Sequence, residues 1–171
     1  PSTAETVYAS GHLVEADFMK NLLAFGIAIY DEYPDVYNIV AGWVFSEFIP
    51  TKNYFYNNSI LHHQGQNYSG FRFTFEAYMT VLLDKCGAGG LVSPKQDEYL
   101  YGSLLTRMPD GSMLKLGDSN HTPGEYTRGH KPGLFLAANH FKDPFLKQEY
   151  FKCTQGIGET VWNNIGVTPV D

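Results

Sequence analysis

The length, composition and charge of this chain exclude several classes of protein. It has 171 residues, 43% of them hydrophobic and 15% aromatic, which is enough for one domain with a sizeable core. Its formal net charge of −6 argues against a nucleic-acid binder, because neutralising phosphates requires a basic face. No apolar run reaches the ~18 residues of a membrane-spanning helix, and no signal-peptide pattern is visible. We therefore expect a single domain over residues 1–171, with neither nucleic acid nor a membrane as its partner.

The cysteine content indicates neither a disulfide scaffold nor a zinc site. The two cysteines, Cys86 and Cys153, could form one bridge or remain free, and neither has a second cysteine at zinc-ligand spacing. Pro1 is not a natural first residue, so the chain is expected to be a mature product or a piece of a longer protein.

Residues 12–30 have the pattern of an amphipathic helix. Its predicted apolar face consists of Phe18, Leu22, Phe25 and Ile29, widened by Leu23 and Ile27. Pro34 follows shortly afterwards, and the residue before a proline is disfavoured in the α conformation, which predicts the end of this helix.

Three further segments are assigned from pattern and proline position. A second helix is predicted over residues 34–48, and Pro50 is expected to close it. Residues 54–66 are polar and aromatic without periodicity, which predicts a loop. Residues 71–85 are apolar again over a length that favours a helix, and the glycines of 87–90 end it.

The second half of the chain carries a helix-start signal and several turn signals. Ser93, Pro94 and Gln96 predict an N-cap, a first-position proline and a capping-box glutamine. Residues 109–111 (PDG) predict a turn, and residues 113–116 predict a short strand.

The remaining segments complete a mainly helical chain. Residues 117–121 (GDSNH) could bind a metal, but they lack a recognisable ligand frame, so a turn is predicted. Helices are predicted over residues 133–141, from an Asp143 cap, and over residues 156–171. The whole is expected to be a set of helical hairpins joined by loops.

A first group of residues suited to proton transfer lies in segment 11–15 (GHLVE). His12 and Glu15 are three residues apart and would share one face of a helix. The carboxylate could orient the imidazole or hold it protonated. The alternative is an ordinary helix start, where an acidic first turn is favourable.

A second group lies in segment 62–68 (HHQGQNY). Its glycine lets the backbone turn tightly, so that flanking side chains can converge. Tyr68 and Arg72 are four residues apart and would share a helix face. The cation could lower the pKa of the phenol or bind a substrate carboxylate. The alternative is a buried tyrosine that is hydrogen-bonded to the backbone.

These segments, together with 24–32 (AFGIAIYDE) and the stretch 109–119, resemble in their order the helical region of the heparinase II/III-like polysaccharide lyases. The resemblance implies an incomplete α/α toroid followed by antiparallel β-sheet domains. It also implies cleavage of an acidic polysaccharide, of the heparin or heparan sulfate kind or related, by β-elimination. Such a reaction leaves an unsaturated uronic acid.

The resemblance implies a role for each of seven residues. Tyr68 matches the catalytic tyrosine, which protonates the leaving oxygen and can also serve as base. His12 matches a catalytic histidine that acts as base or neutralises the substrate carboxylate, depending on the C5 epimer. Glu15 matches a nearby glutamate that, when protonated, assists with that carboxylate. The expected substrate contacts are Arg72, His63, Gln64 and Asn67.

The resemblance also implies parts that residues 1–171 do not supply. The family has a further catalytic histidine, and often a structural metal, in its β-sheet part. We therefore expect neither a cofactor nor a metal in this chain, which alone would be inactive or one portion of the working enzyme. An acidic polysaccharide is the expected partner and a periplasmic or secreted location is implied, while the oligomeric state stays open.

Two alternatives to a lyase are kept. The first is a toroidal glycoside hydrolase that uses paired carboxylates. The sequence has adjacent acidic pairs at 31–32 and 97–98, but such pairs usually lie on a solvated surface. The second is an α-helical carbohydrate-binding domain without turnover.

Overall fold

The computed structural model describes residues 14–62, 65–106, 114 and 130–154, and these residues form helices and no strand. The helices are α1 (Val14–Ala28), α2 (Pro34–Trp43), a π-helical turn (Val44–Phe48), α3 (Ile49–Asn58), α4 (Gly65–Lys85), α5 (Glu98–Leu105), α6 (His130–His140) and α7 (Pro144–Thr154). Short 3₁₀ turns precede α5 at Gly89–Leu91 and Pro94–Asp97. The predicted mainly α class is confirmed. The turns at 109–111 and 117–121 and the helix at 156–171 lie outside the described residues, as does the strand at 113–116 except for Leu114.

Helix α1 forms where it was predicted, but only part of its predicted apolar face is buried. Leu23 is fully buried, as predicted, together with Met19 and Ala16, whereas Phe18 and Phe25 are 53% and 54% exposed. Helix α1 packs on both α2 and α4, so the side of α1 that faces these two helices is the buried one. The largest apolar side chains of α1 therefore lie on the opposite side.

Gly26 marks the closest approach of α1 to α2. A Cβ atom placed on Gly26 would lie 2.9 Å from Cα of Tyr37, inside van der Waals contact. The two helices therefore touch through their backbones at this point, which only glycine permits.

Helices α2 and α3 are joined by the π-helical turn, and the helical conformation continues through Pro50. In a regular α-helix the proline ring would clash with the carbonyl four residues earlier, and its missing N–H would leave that carbonyl unpaired. Here the N–H of Ile49 donates to the carbonyl of Val44, five residues back, in the wider π-helical turn. The prediction that Pro50 closes the helix is wrong for this reason. The predicted loop at 54–66 is also wrong in part, because α3 continues through Asn58 and α4 has begun by Gly65.

Helix α4 is longer than predicted and is central to the packing. It begins at Gly65, six residues before the predicted start, and ends as predicted at Lys85. Gly87 follows with a positive φ of 78°. Helix α4 packs against α1, α5 and α6.

The predicted cap at Ser93 forms, but the predicted capping box does not. The hydroxyl of Ser93 accepts a hydrogen bond from the N–H of Lys95 at 3.2 Å. Gln96, expected to bond back to the cap, is buried and contacts other helices instead. The backbone N–H of Ser93 donates to Asn53 at 2.7 Å, so the site a capping-box glutamine would occupy is taken.

The Asp143 cap of α7 is confirmed. Its carboxylate accepts the backbone N–H groups of Phe145 at 2.8 Å and Leu146 at 3.1 Å. Its other oxygen accepts the hydroxyl of Tyr101 at 2.6 Å, which ties α5 to the turn between α6 and α7.

The apolar core consists of two clusters on either side of α4. The first is built around Phe73 and Leu134 and joins α4 to α5, α6 and α7. The second is built around Leu23, Met79 and Leu83 and joins α4 to α1 and α2. Helix α4 therefore connects the two halves of the described chain.

The described residues bear on the state of one cysteine and on whether a helix could span a membrane. Cys86 is a free and exposed thiol. Among the described helices, none combines the length and the hydropathy that a bilayer-spanning segment requires.

Candidate functional site

A row of polar residues runs along the inner side of α4. Tyr68, Arg72, Glu76 and Thr80 follow one another at four-residue spacing, and such residues lie above one another on a helix. Arg72, Glu76 and Thr80 are all buried. Tyr68 lies at the N-terminal end of the row, and its side chain is outside the described part of the chain.

Glu76 is the centre of a buried polar cluster. Its carboxylate oxygen Oε1 accepts a hydrogen bond from Nζ of Lys52 at 2.5 Å, and Oε2 accepts one from the hydroxyl of Tyr56 at 2.5 Å. Nε2 of His62 lies 3.5 Å from Oε1. Helix α3 thus supplies two of these three contacts, and the segment that follows α3 supplies the third.

The cluster extends one helical turn further along α4. The hydroxyl of Thr80 donates to the side-chain oxygen of Gln96 at 2.7 Å, and the amide of Gln96 donates to the hydroxyl of Tyr56 at 3.2 Å. The ring of Tyr99 packs edge-on against Tyr56. The hydrogen bonds therefore link α4, α3 and the turn before α5.

Burial and charge set the ionisation of this cluster. Burial by itself would raise the pKa of Glu76, but Lys52 and His62 outweigh it, and the pKa lies well below its usual range. Burial, together with the Glu76 carboxylate, raises the pKa of Tyr56 well above its ordinary value. Burial also lowers the pKa of His62, despite the nearby carboxylate. Glu76 is therefore a fixed anion at neutral pH, paired with the Lys52 ammonium and beside a neutral imidazole.

Glu15 and Arg72, two of the predicted site residues, interact electrostatically near this cluster. Glu15 lies in the first turn of α1 and is partly buried. Burial raises the pKa of its carboxyl group, and the positive charges of Lys52 and Arg72 oppose that rise from within electrostatic range. Arg72 lies one turn before Glu76 on α4. Residues from the two ends of the predicted site thus share one electrostatic environment.

The other predicted site residues cannot be compared in the same way. His12, His63 and Gln64 lie outside the described residues. Asn67 and Tyr68 belong to the first turns of α4, with side chains outside the described set. Within the described ranges, no group of three or more histidine, cysteine, aspartate or glutamate side chains is arranged to hold a metal ion.

Sequence reasoning missed the residues of the Glu76 cluster for identifiable reasons. Tyr56 fell in a segment predicted as a loop, and Lys52 lay beyond the proline expected to close a helix. His62 was part of the noted motif, but its neighbour His63 was given the role. Glu76 could have been found, because it lies one turn after Arg72 in a segment that was predicted to be helical.

The cluster can act through charge and position rather than by contact with a sugar. Glu76 is only 3% exposed, and the crevice beside it has room for about one water molecule. No protein-family model and no curated protein sequence matches this chain. The proposed role of this site therefore rests on the residues that form it.

Proposed function

We propose that this chain is the helical part of a polysaccharide lyase that cleaves a uronic-acid-containing acidic polysaccharide by β-elimination. The observation that supports this proposal is electrostatic: the positive charge of Arg72 on α4 acts on the pKa of the Glu15 carboxyl group on α1. These two residues belong to different motifs. Glu15 was expected to assist with the substrate carboxylate, and Arg72 to lower the pKa of the Tyr68 phenol or to bind that carboxylate. Helical hairpins such as α1–α2 and α6–α7 are the units of which an incomplete α/α toroid is built. A periplasmic or secreted location is part of the same proposal.

The chemistry of β-elimination matches these residue types. The proton at C5 of a uronate is weakly acidic, and its removal becomes easier when the adjacent carboxylate is neutralised. Arg72 is only 5% exposed, so its permanent positive charge would act on that carboxylate through space, whereas the partly exposed Glu15, with its raised pKa, can hold a proton near it. In this proposal His12 is base or neutraliser, and Tyr68 protonates the leaving oxygen and can serve as base.

The experiment is an absorbance assay with heparin, heparan sulfate, chondroitin, alginate and ulvan. Elimination leaves a double bond that absorbs in the near ultraviolet, so a rise with one polymer identifies both reaction and substrate class. Tyr68→Phe should lower turnover by ~10²–10⁴-fold, because it removes the acid–base hydroxyl. Tyr33→Phe is the matched control: Tyr33 is 66% exposed at the start of α2 and should keep full activity.

Other outcomes would contradict the proposal. New reducing ends without ultraviolet absorbance would indicate a hydrolase that uses two carboxylates. Binding of a polymer without either product, unchanged by Tyr68→Phe, would indicate a carbohydrate-binding domain. Full activity of Tyr68→Phe would remove Tyr68 from the mechanism.

A further inference from the structure

The Glu76 cluster lies too deep to touch a polymer, yet it is adjacent in the α4 row to residues of the proposed site. We propose that Lys52 and Glu76 are positioning residues, whose buried ion pair holds the first half of α4 in one rotation against α3 and so places Arg72 and Tyr68. The catalytic part of this inference rests on the proposed function, whereas the anchoring of α4 does not.

The geometry of the carboxylate is what fixes the rotation. Lys52 and His62 approach one oxygen of Glu76, and Tyr56 donates to the other. Both oxygens are therefore directed at partners outside α4, from one face of α3 and from the segment after it. A rotation of α4 about its axis would break these contacts together, whereas apolar contacts tolerate small shifts more readily.

A second contact holds the same row one turn away. Thr80 is joined to Gln96, and Gln96 is joined to Tyr56, so the chain of hydrogen bonds returns to the residue that also contacts Glu76. Glu76 is thus held by α3 directly, and Thr80 is held through Gln96, whose amide donates to Tyr56 of α3. The next members toward the N-terminus are Arg72 and Tyr68, each about 5–6 Å further along the helix axis.

Stability alone does not require an ion pair at this place. Buried ion pairs can often be replaced by uncharged side chains of similar size without loss of stability, since removing the charges from water is costly. Glu76 and Lys52 are both buried, so this cost applies to both. The ion pair provides directional contacts, which an apolar pair would not provide.

The test is the double variant Lys52→Met/Glu76→Gln, which removes both charges and leaves neither unpaired. Its control is Asp17→Asn, which removes the carboxylate partner of Lys20 in α1, 2.6 Å away, and leaves the Lys20 ammonium over the rings of Phe75 and Tyr78 on α4. Both variants are expected to stay folded, with thermal midpoints within about 5 °C of the parent. Measurements are made well below those midpoints, so that the folded fraction does not affect the rates.

Two readouts are compared. Amide hydrogen exchange of residues 65–75 should become at least ~10-fold faster in the double variant, with residues 130–154 unchanged, because only the N-terminal half of α4 loses its anchor. With the polymer that gives product, kcat should fall by ~10²-fold while KM changes by less than about threefold, because misplaced groups fail in the transition state.

Each contrary result has a distinct meaning. A folded double variant with unchanged kcat overturns the positioning role, and unchanged exchange in 65–75 overturns the anchoring. Absence of product from the parent chain with every polymer agrees with the expectation that this chain alone is inactive, and hydrogen exchange then decides the inference through the anchoring of α4. Should the double variant fail to fold, Glu76→Asp keeps the charge and withdraws the carboxylate by one methylene. Normal kcat in that folded variant also overturns the positioning role.

Discussion

At the scale of single residues, the environment of His62 makes stability depend on pH. Its side chain is fully enclosed. The groups that face it are Glu76 at 3.5 Å and, at longer range, the cations Lys52 and Arg72. Burial lowers the pKa of His62 from the ordinary value of 6.5, so the unfolded chain binds a proton more readily than the folded chain does.

The sign of this effect leads to a prediction for acid unfolding. The contribution of His62 to stability is fully present above about pH 6.5 and is lost as the pH falls from there toward the lowered pKa of the folded state. Glu76 acts in the same direction below its ordinary pKa of 4.5, because its folded pKa is also lowered. Urea unfolding at pH 8, 6 and 5 should therefore show a falling free energy of unfolding.

The variant His62→Gln tests the assignment. It should be less stable than the parent at pH 8, and its free energy of unfolding should change less between pH 7 and pH 5. His140→Gln, on α6, is the control and should retain the dependence of the parent. An unaltered pH dependence in His62→Gln would show that another group is responsible.

The site residues also show how far sequence reasoning extends at this scale. Glu15 and Arg72 could be identified from the sequence, because their residue types and their helical spacing from His12 and Tyr68 suggested a role in the same reaction. Lys52 could not, because its partner Glu76 lies on another helix and no local pattern encodes that contact. Residue type thus predicted which chemistry the side chains could perform, whereas contacts between side chains of different helices depend on tertiary packing.

At the scale of helices, the buried face of α1 gives a direct prediction. Leu23 is fully buried between α1 and its neighbours, whereas Phe25 is about half exposed. Leu23→Ala should lower the free energy of unfolding by about 2–5 kcal/mol, and Phe25→Ala by about 1 kcal/mol or less. Urea denaturation measures both losses of stability. A larger loss for Phe25→Ala than for Leu23→Ala would show that Phe25 lies on the buried face, as the sequence predicted.

The contact between α1 and α2 gives a second prediction, with a control in the same pair of helices. Gly26→Ala should destabilise by about 1–3 kcal/mol, because the new methyl group would meet the backbone of Tyr37. Gly42→Ala in α2 meets no atom within 4 Å and should stabilise by about 0.5–1 kcal/mol, since alanine favours a helix. Thermal or urea unfolding of both variants provides the measurement, and equal effects would contradict the close approach at Gly26.

Two helix caps were predicted better than the buried face of α1. The caps at Ser93 and Asp143 are encoded by neighbouring residues, and both form. The face of α1 depends on which helices surround it, and a single apolar stripe does not specify them. Gln96 illustrates the limit, because a local capping pattern was overridden by the hydrogen bonds it makes with Thr80 and Tyr56.

At the scale of the whole molecule, α4 takes part in both apolar clusters. Phe73 belongs to the cluster of α5–α7, and Met79 belongs to that of α1 and α2. The polar row of α4 lies alongside both clusters. The mainly helical class could be predicted from periodicity and proline positions, but the central place of α4 could not, because its sequence shows apolar residues on more than one side.

The π-helical turn between α2 and α3 has a consequence for the whole arrangement. Relative to an uninterrupted α-helix it accommodates one additional residue, and each residue of an α-helix advances the side-chain direction by about 100°. Everything after Phe48 is therefore offset by that angle relative to α2. Lys52 and Tyr56 face Glu76 with this offset in place. The number of residues between Trp43 and Ile49 therefore sets the direction in which these two side chains point. A single-residue deletion there would leave the composition of the cluster intact and turn two of its members away from the carboxylate.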